Sequence, residues 1–182
     1  MNISETGLTL LKYYEGLRLQ AYDDANPNQP LVMNDQLQGT LTIGYGHTGK
    51  DVELGQIITE EYADLLLSQD IIWAERAVNE AILASYKPNA SQAQFDAMVC
   101  LTFNIGATAF AGSSVLKYHN LGNFEQAMNR FKLWHKTRSH GVLIPLKGLI
   151  KRRFSEAYLY ETGLINTHPI GWLNYALQAG AK

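Results

Sequence analysis

The fold is decided where a helical pattern gives way to an alternating one, at Glu15-Gly16-Leu17-Arg18-Leu19-Gln20-Ala21-Tyr22-Asp23-Asp24. Before this stretch, apolar residues recur at helical spacing, which predicts a helix that begins with Ser4 as its N-cap and ends near Glu15. Within the stretch, apolar and polar residues alternate as in a strand with one buried face. In that alternation Asp24 lies on the polar face, and Asp23 points the other way.

A second strand is predicted at residues 40–45, where Leu41, Ile43 and Tyr45 alternate with smaller polar residues or glycine. The intervening residues 25–39 are rich in Asn, Gln, Pro and Gly and indicate a long excursion between the two strands. A sheet this small is not stable alone, so it must pack against helices.

Helical patterns dominate the rest of the chain, and strands are predicted only near the N-terminus. The predicted helices run from Thr59 to about Ile82, from Ser91 through Phe103, from Asn123 through Trp134, from about Pro145 to Tyr160 and onward from about Pro169. The pattern therefore predicts one α+β domain over 1–182. It has a small N-terminal β-sheet lobe at about 17–58, a larger helical lobe at about 59–163 that includes the first helix, and a tail helix at about 165–182. We expect a cleft between the lobes to bind the ligand.

Composition is that of a globular protein: 182 residues, of which 46% are hydrophobic and 18% charged, with one cysteine. Disorder and a disulfide scaffold are excluded, and Cys100, within an apolar run, is interpreted as a small buried hydrophobe. Residues 1–91 hold 5 Lys and Arg against 13 Asp and Glu, whereas residues 92–182 hold 10 against 4. This asymmetry indicates solvated surface, or a basic part that an anionic polymer could approach.

Several kinds of chemistry are poorly supported. Residues 44–50 match the G-x-x-x-x-G-K spacing of a phosphate-binding loop, but Asp51 stands where Ser or Thr should bind magnesium, so no nucleotide partner is predicted. The five histidines lack the spacing of metal ligands, and no metal is expected. No segment is apolar enough to cross a membrane, and the charged N-terminus predicts synthesis in the cytoplasm.

Two carboxylates are better candidates. Glu15 is predicted at a helix C-terminus, where the negative end of the helix dipole disfavours the anion, so this side chain could donate a proton. Asp24 is predicted at a polar turn, where water and hydroxyl groups such as Thr42 favour the carboxylate. Two acids in contrasting environments are typical of glycoside hydrolysis, although their spacing alone also occurs by chance.

Four segments in order resemble the bacteriophage-type lysozymes, the endolysins of glycoside hydrolase family 24. They are residues 15–24, residues 41–49, the Phe103-Asn104-Ile105-Gly106 turn and the basic helix at 148–160. The resemblance covers about residues 8–163 and implies a lysozyme-like fold. It also implies a muramidase that cuts the β-1,4 bond between N-acetylmuramic acid and N-acetylglucosamine in peptidoglycan, with no cofactor.

By matching position, the resemblance assigns Glu15 as the general acid. It assigns Asp24 to holding the attacking water or balancing oxocarbenium charge, with Thr42 beside that water. The implied partners are bacterial peptidoglycan and a holin-type export partner for a monomer that acts on the wall in the periplasm. Nucleic acid is not an expected partner.

The resemblance implies four further residues for substrate binding or its neighbourhood: His47 as a neighbouring structural residue, Phe103 and Ser114 lining the sugars, and Arg152. Arg152 or Arg153 could pair with Glu15 or with anionic peptide stems, or could belong to an exposed basic face of the helix.

One departure from the family pattern is the apparent insertion of residues 27–38 between the two strands. A lengthened surface hairpin is favoured, since insertions at such tips cost little. Because the insertion could displace Asp24, Asp23 and Asp35 are kept as alternatives. Two other functions stay open: a lytic transglycosylase of the same fold, and a peptidoglycan-binding protein that has lost catalysis.

Overall fold

The computed structural model describes residues 1–29, 31, 36–139 and 142–181. Within these residues the chain forms nine α-helices: α1 Glu5–Glu15, α2 Glu60–Asp70, α3 Ile72–Ala81, α4 Gln92–Ile105, α5 Ala107–Ala111, α6 Ser114–Asn120, α7 Phe124–Phe131, α8 Lys147–Thr162 and α9 Trp172–Gln178. The strands are β1 Arg18–Asp23, β2 Leu41–Gly44, β3 His47–Thr48, β4 Lys136–Ser139 and β5 Val142–Pro145. The α+β class predicted from the sequence is confirmed.

The chain divides into two compact units. One comprises Met1–Leu11 and Ala74–Lys182, here called the helical unit, and the other comprises Lys12–Trp73, here called the sheet unit. The boundaries fall within α1 and α3. A cleft between two lobes, and one catalytic domain over 1–182, stay predictions.

The sheet unit contains a three-stranded antiparallel sheet in the order β1-β2-β3. Tyr22 of β1 lies opposite Thr42 of β2, and the pairing is irregular between Arg18 and Tyr22. Helix α2 packs against β2, and its apolar face buries Ala63, Leu66 and Leu67. This is the support that so small a sheet needs.

The helical unit is built around α4 and α8, which pack against each other. Helix α4 is buried along residues 95–102 and begins at the predicted capping box, in which Ser91 accepts from the Gln94 backbone N–H and the Gln94 side chain accepts from Ser91. Two reciprocal bonds of this kind satisfy donors that a helix start leaves open. Cys100 is buried and reduced, as expected of a core hydrophobe.

Two secondary-structure predictions are wrong. The segment predicted as one helix from Thr59 to Ile82 forms two helices, α2 and α3, which are separated at Ile71. Strands are not confined to the N-terminal part, because β4 and β5 form a second antiparallel sheet. The β4 sequence, Lys136-Thr137-Arg138-Ser139, contains no apolar residue and so gives no alternation to detect.

The tail helix is shorter than predicted, since α9 covers Trp172–Gln178. Tyr175 packs with its ring centroid 5.5 Å from those of His135 and Phe154, and Ala176 is fully buried. The tail therefore packs on the core of the helical unit, as predicted. None of the helices in the described ranges has the length and apolar character needed to cross a bilayer.

A buried histidine of α6 contacts α8. His119 is fully buried, and its Nδ1 is 2.6 Å from the hydroxyl of Tyr160. Burial lowers the pKa of His119 to about 4. An unfolded chain would bind this proton at its ordinary pKa of about 6.5.

We therefore expect stability to fall in mild acid. The contribution of neutral His119 is fully present above pH 6.5 and is lost as pH falls from there toward 4, by roughly 3 kcal/mol in the free energy of unfolding. Urea unfolding at pH 7.5 and 4.5 would measure this difference. His119→Asn, which keeps an amide for Tyr160 but does not titrate, should lose correspondingly less over this interval, and equal losses in both proteins would contradict the assignment.

Candidate active site

Glu15 is the last residue of α1. The helix ends there because Gly16 adopts a φ of 72°, a left-handed conformation that glycine tolerates, while its N–H donates to Lys12 O at 3.0 Å. The Glu15 side chain is half-buried, and its Oε1 atom is shielded from solvent. The predicted helix end is thus confirmed, and it presents a partly buried carboxyl group.

Asp24 directly follows β1 and is exposed. Its backbone N–H donates to Thr40 O at 3.1 Å, and its Oδ1 accepts from Thr40 N at 2.6 Å. These two bonds continue the β1–β2 pairing past the end of the strand and fix the orientation of the carboxylate.

Thr42 is buried in β2, and its hydroxyl donates to Thr40 O at 3.0 Å. Thr42 lies opposite Tyr22, and Asp24 follows Tyr22 by two residues on the same face of the strand pair. Diagonal neighbours of this kind are about 7–8 Å apart, so a water molecule could lie between the two side chains. The structure therefore places Asp24 and Thr42 on one face of one hairpin.

Asp23 differs sharply from its neighbour. It is 3% exposed, and its carboxylate accepts N–H bonds from Gln38, Ala25 and Gly39. Asp23 is thus buried, like Ala21 two residues before it, whereas Asp24 is exposed. Asp35, the other alternative, lies outside the described residues.

Tyr22 and Arg18 belong to the same face, and sequence reasoning did not single them out. The Arg18 guanidinium carbon is 5.5 Å from the Tyr22 ring centroid. Burial raises the pKa of the Tyr22 hydroxyl, the charge of Arg18 opposes this, and the carboxylates of Asp24 and Glu15 raise it further. The carboxylates of Asp24 and Glu15 therefore both disfavour ionisation of one phenol. One indication of this role was present in the sequence, since Tyr22 lies on the polar side of the alternating pattern.

His47 is held between two carboxylates. Its Nδ1 is 2.8 Å from Asp70 Oδ2, and its Nε2 is 3.1 Å from Asp51 Oδ2. Burial alone would lower the pKa of His47, but the hydrogen bonds to Asp70 and Asp51 outweigh it, and the pKa is raised. Both ring nitrogens are engaged, which is the arrangement of a structural imidazolium tying β3 to α2.

Phe103 and Ser114 belong to the helical unit. Phe103 is half-buried near the end of α4, and Gly106 follows with a φ of 87° at the helix C-cap. Ser114 is the first residue of α6 and lines a surface pocket of about 390 Å³ together with Lys117 and Asn120.

The exposed basic face considered for Arg152 and Arg153 is not present, because both side chains are buried. Arg152 Nε lies 3.0 Å and Arg153 Nη2 lies 2.8 Å from Glu156 Oε1, and Arg152 also donates to Cys100 O at 3.3 Å. The shared carboxylate offsets part of the cost of removing the two guanidinium groups from water. The bond to Cys100 O joins α8 to α4, whereas the two ion pairs lie within α8.

Within the part of the chain that the structure describes, no group of three or more His, Cys, Asp and Glu residues is arranged to hold an ion.

The chain has a helical unit and a small sheet unit, and the sheet unit carries one carboxylate at the end of a helix and one at the end of a strand. These features define a class, the lysozyme-type glycoside hydrolases. Comparison with known proteins agrees. The family model described as "Phage lysozyme" matches residues 12–156. The endolysin of Acyrthosiphon pisum secondary endosymbiont phage 1 is 41% identical over 162 residues, which are 89% of this chain and 99% of that protein.

Two solved structures are similar as well. An endolysin from Escherichia coli O157:H7 phage FAHEc1 has a TM-score of 0.79 at 35% identity, over 91% of this chain and 97% of that one. The muramidase domain of SpmX from Asticaccaulis excentricus has a TM-score of 0.74 at 36% identity, over 88% of this chain and 98% of that one. This chain therefore belongs to the phage lysozyme family and is a peptidoglycan-hydrolysing enzyme of the endolysin type.

Proposed function

We propose that this enzyme is a muramidase that cleaves the β-1,4 bond between N-acetylmuramic acid and N-acetylglucosamine. The observation that carries the proposal is the contrast between two nearby acids, Glu15 with a shielded oxygen and Asp24 exposed and oriented by Thr40. Glycosidases need one carboxyl group that protonates the leaving oxygen and one that works on the other side of the bond. The solved muramidase domain similar to this chain supports the same bond specificity.

In this mechanism Glu15 protonates the glycosidic oxygen as the bond to the anomeric carbon breaks. Asp24 holds the attacking water or balances the positive charge of the oxocarbenium-like transition state. Thr42 lies diagonally across the hairpin from Asp24, where its hydroxyl oxygen can accept a hydrogen bond from that water. The step needs no group beyond these side chains and water.

Substrate contacts outside the hairpin are proposed for Phe103 and Ser114. A half-buried aromatic ring can stack against a sugar face, and a hydroxyl can bond to an acetamido group. His47 is proposed as structural support for β3, because both of its nitrogens are engaged. Arg152 is predicted near the substrate, but its burial and its bond to Cys100 O favour a role in joining α8 to α4.

The place of action is proposed from the relatives named endolysin. The protein would be made in the cytoplasm of the host, reach the periplasm with help from a holin-type partner, and act there on the wall as a monomer.

Mass spectrometry of the soluble products from purified peptidoglycan tests this function. Disaccharide-peptides with reducing N-acetylmuramic acid ends are the expected result. Anhydro ends would instead establish a lytic transglycosylase, and binding without any released fragment would establish a binding protein.

A further inference from the structure

The carboxylate of Asp23 lies at the base of the excursion formed by residues 25–39. Its Oδ2 accepts from Gln38 N at 2.7 Å, and its Oδ1 accepts from Ala25 N and from Gly39 N, each at 2.9 Å. These donors belong to the two opposite ends of the excursion, so one buried side chain fastens both ends together. The N–H of Gln38, helped by those of Ala25 and Gly39, holds the pKa of Asp23 below its ordinary value against the effect of burial.

This fastening acts directly on the neighbouring acid. Asp24 follows Asp23 in the chain, and Thr40, which bonds to Asp24 twice, follows Gly39. Gly39 itself approaches so closely that a Cβ atom there would lie 2.8 Å from Ala25 N and from Asp23 Oδ1, and closer still to Asp24 Oδ1. The position of Asp24 relative to Thr42 therefore depends on how the ends of the excursion are held.

We propose that Asp23 is a positioning residue, whose buried carboxylate clamps the two ends of the 25–39 excursion and so holds Asp24 beside Thr42. The proposal rests on the proposed function, because it takes the catalytic role of Asp24 from there. Asp23 does not touch the substrate. Because Asp23 clamps the two ends, the hairpin can contain a long insertion directly beside Asp24 without displacing the Asp24 carboxylate.

The clamp is needed because holding the ends of a long loop together costs conformational entropy. An excursion of this length gains entropy when its ends separate, and the pairing of Asp24 with Thr40 stands directly at those ends. A displacement of about 1 Å at a reacting group can reduce the rate about 100-fold.

Asp23→Asn tests the clamp with almost no change in shape. An amide keeps one acceptor but turns an N–H₂ group toward backbone N–H donors, so the clamp loses a bond and its charge. We expect kcat on purified peptidoglycan to fall about 10- to 100-fold, with KM within about 2-fold of the wild type. Asn28→Ala is the control, because Asn28 is exposed in the same excursion and donates none of the three bonds that Asp23 accepts, and it should retain wild-type kcat.

A shortened chain lacking residues 26–37 separates positioning from a general loss of stability. It joins Ala25 directly to Gln38 and leaves a three-residue turn that ends in Gly39, a common hairpin length. With no excursion to clamp, Asp23→Asn should change kcat by less than about 2-fold in this background. The same loss in both backgrounds would overturn the proposal, as would wild-type kcat for Asp23→Asn in the full chain.

Amide hydrogen exchange gives a readout that needs no activity. The Thr40 N–H donates to Asp24 Oδ1, so its exchange rate reports on the position of Asp24. We expect exchange at Thr40 and Gly39 to be at least about 10-fold faster in Asp23→Asn, and unchanged rates would overturn the clamp. If the wild type released no fragments, the proposed function would fail while exchange still tested the clamp. If Asp23→Asn failed to fold in the full chain, the shortened chain carrying it should fold and cleave, and its failure would count against the proposal.

Discussion

Glu15→Gln is expected to lower kcat on purified peptidoglycan by about 1000-fold and to leave the fold intact. General acid catalysis contributes about 10²- to 10⁴-fold, and glutamine keeps the shape of the side chain but cannot donate the proton that the leaving oxygen requires. Glu15 ends α1 without taking part in the core of either unit, so the helix should form as before. Release of soluble muropeptides measures the rate, and circular dichroism checks the fold.

Glu5→Gln is the matched control for this experiment. Glu5 lies on the same helix, in its first turn, and is exposed. Its loss removes only a small interaction with the helix dipole, so activity should stay within about 2-fold of the wild type. Full activity in Glu15→Gln would remove Glu15 from the mechanism and leave the reaction without its proposed acid.

Glu156→Ala is expected to reduce the free energy of unfolding by about 3–5 kcal/mol, the usual cost of breaking a buried ion pair by removing one partner. Glu156 is fully buried with Arg153, and its Oε1 accepts from both Arg152 and Arg153. Without it, two buried cations lose the carboxylate they share. For a chain of this size the melting temperature should fall by roughly 6–20 °C.

Urea and thermal unfolding of Glu156→Ala beside Glu161→Ala would measure this effect. Glu161 is exposed on the same helix, α8, so its removal should change stability by less than about 0.5 kcal/mol. A loss below about 1 kcal/mol for Glu156→Ala would show that the shared carboxylate contributes little to holding α8 in place.

The first helix and the first strand could be predicted because their periodicities are clear and glycine separates them. Ser4, Gly16 and the alternation after it mark their limits, and the structure agrees within one or two residues. The same alternation indicated that Asp23 and Asp24 point opposite ways. It could not indicate what pairs with the Asp23 carboxylate, because two of its donors, Gln38 and Gly39, lie on the far side of the excursion.

The buried arginines were missed for a different reason. A basic run on a helix is usually exposed, and α8 has little apolar periodicity to show which side faces inward. The available clue was Glu156, placed four residues after Arg152 and three after Arg153, where one carboxylate can serve both. The contact between His47 and Asp70 could not be predicted from the sequence. Asp70 is 23 residues away and contacts the ring only once α2 has packed on the sheet.

The close packing around Gly39 also limits how this hairpin can change during evolution or in the laboratory. We expect that segments of other lengths and compositions can be grafted between Ala25 and Gln38, because the described bonds to Asp23 and Asp24 are made at the junction. Every such graft must keep glycine at the exit, since a side chain there would collide with Asp23, Asp24 and the Ala25 backbone. Such grafts would let the surface beside the sheet vary while the geometry around Asp24 stays the same.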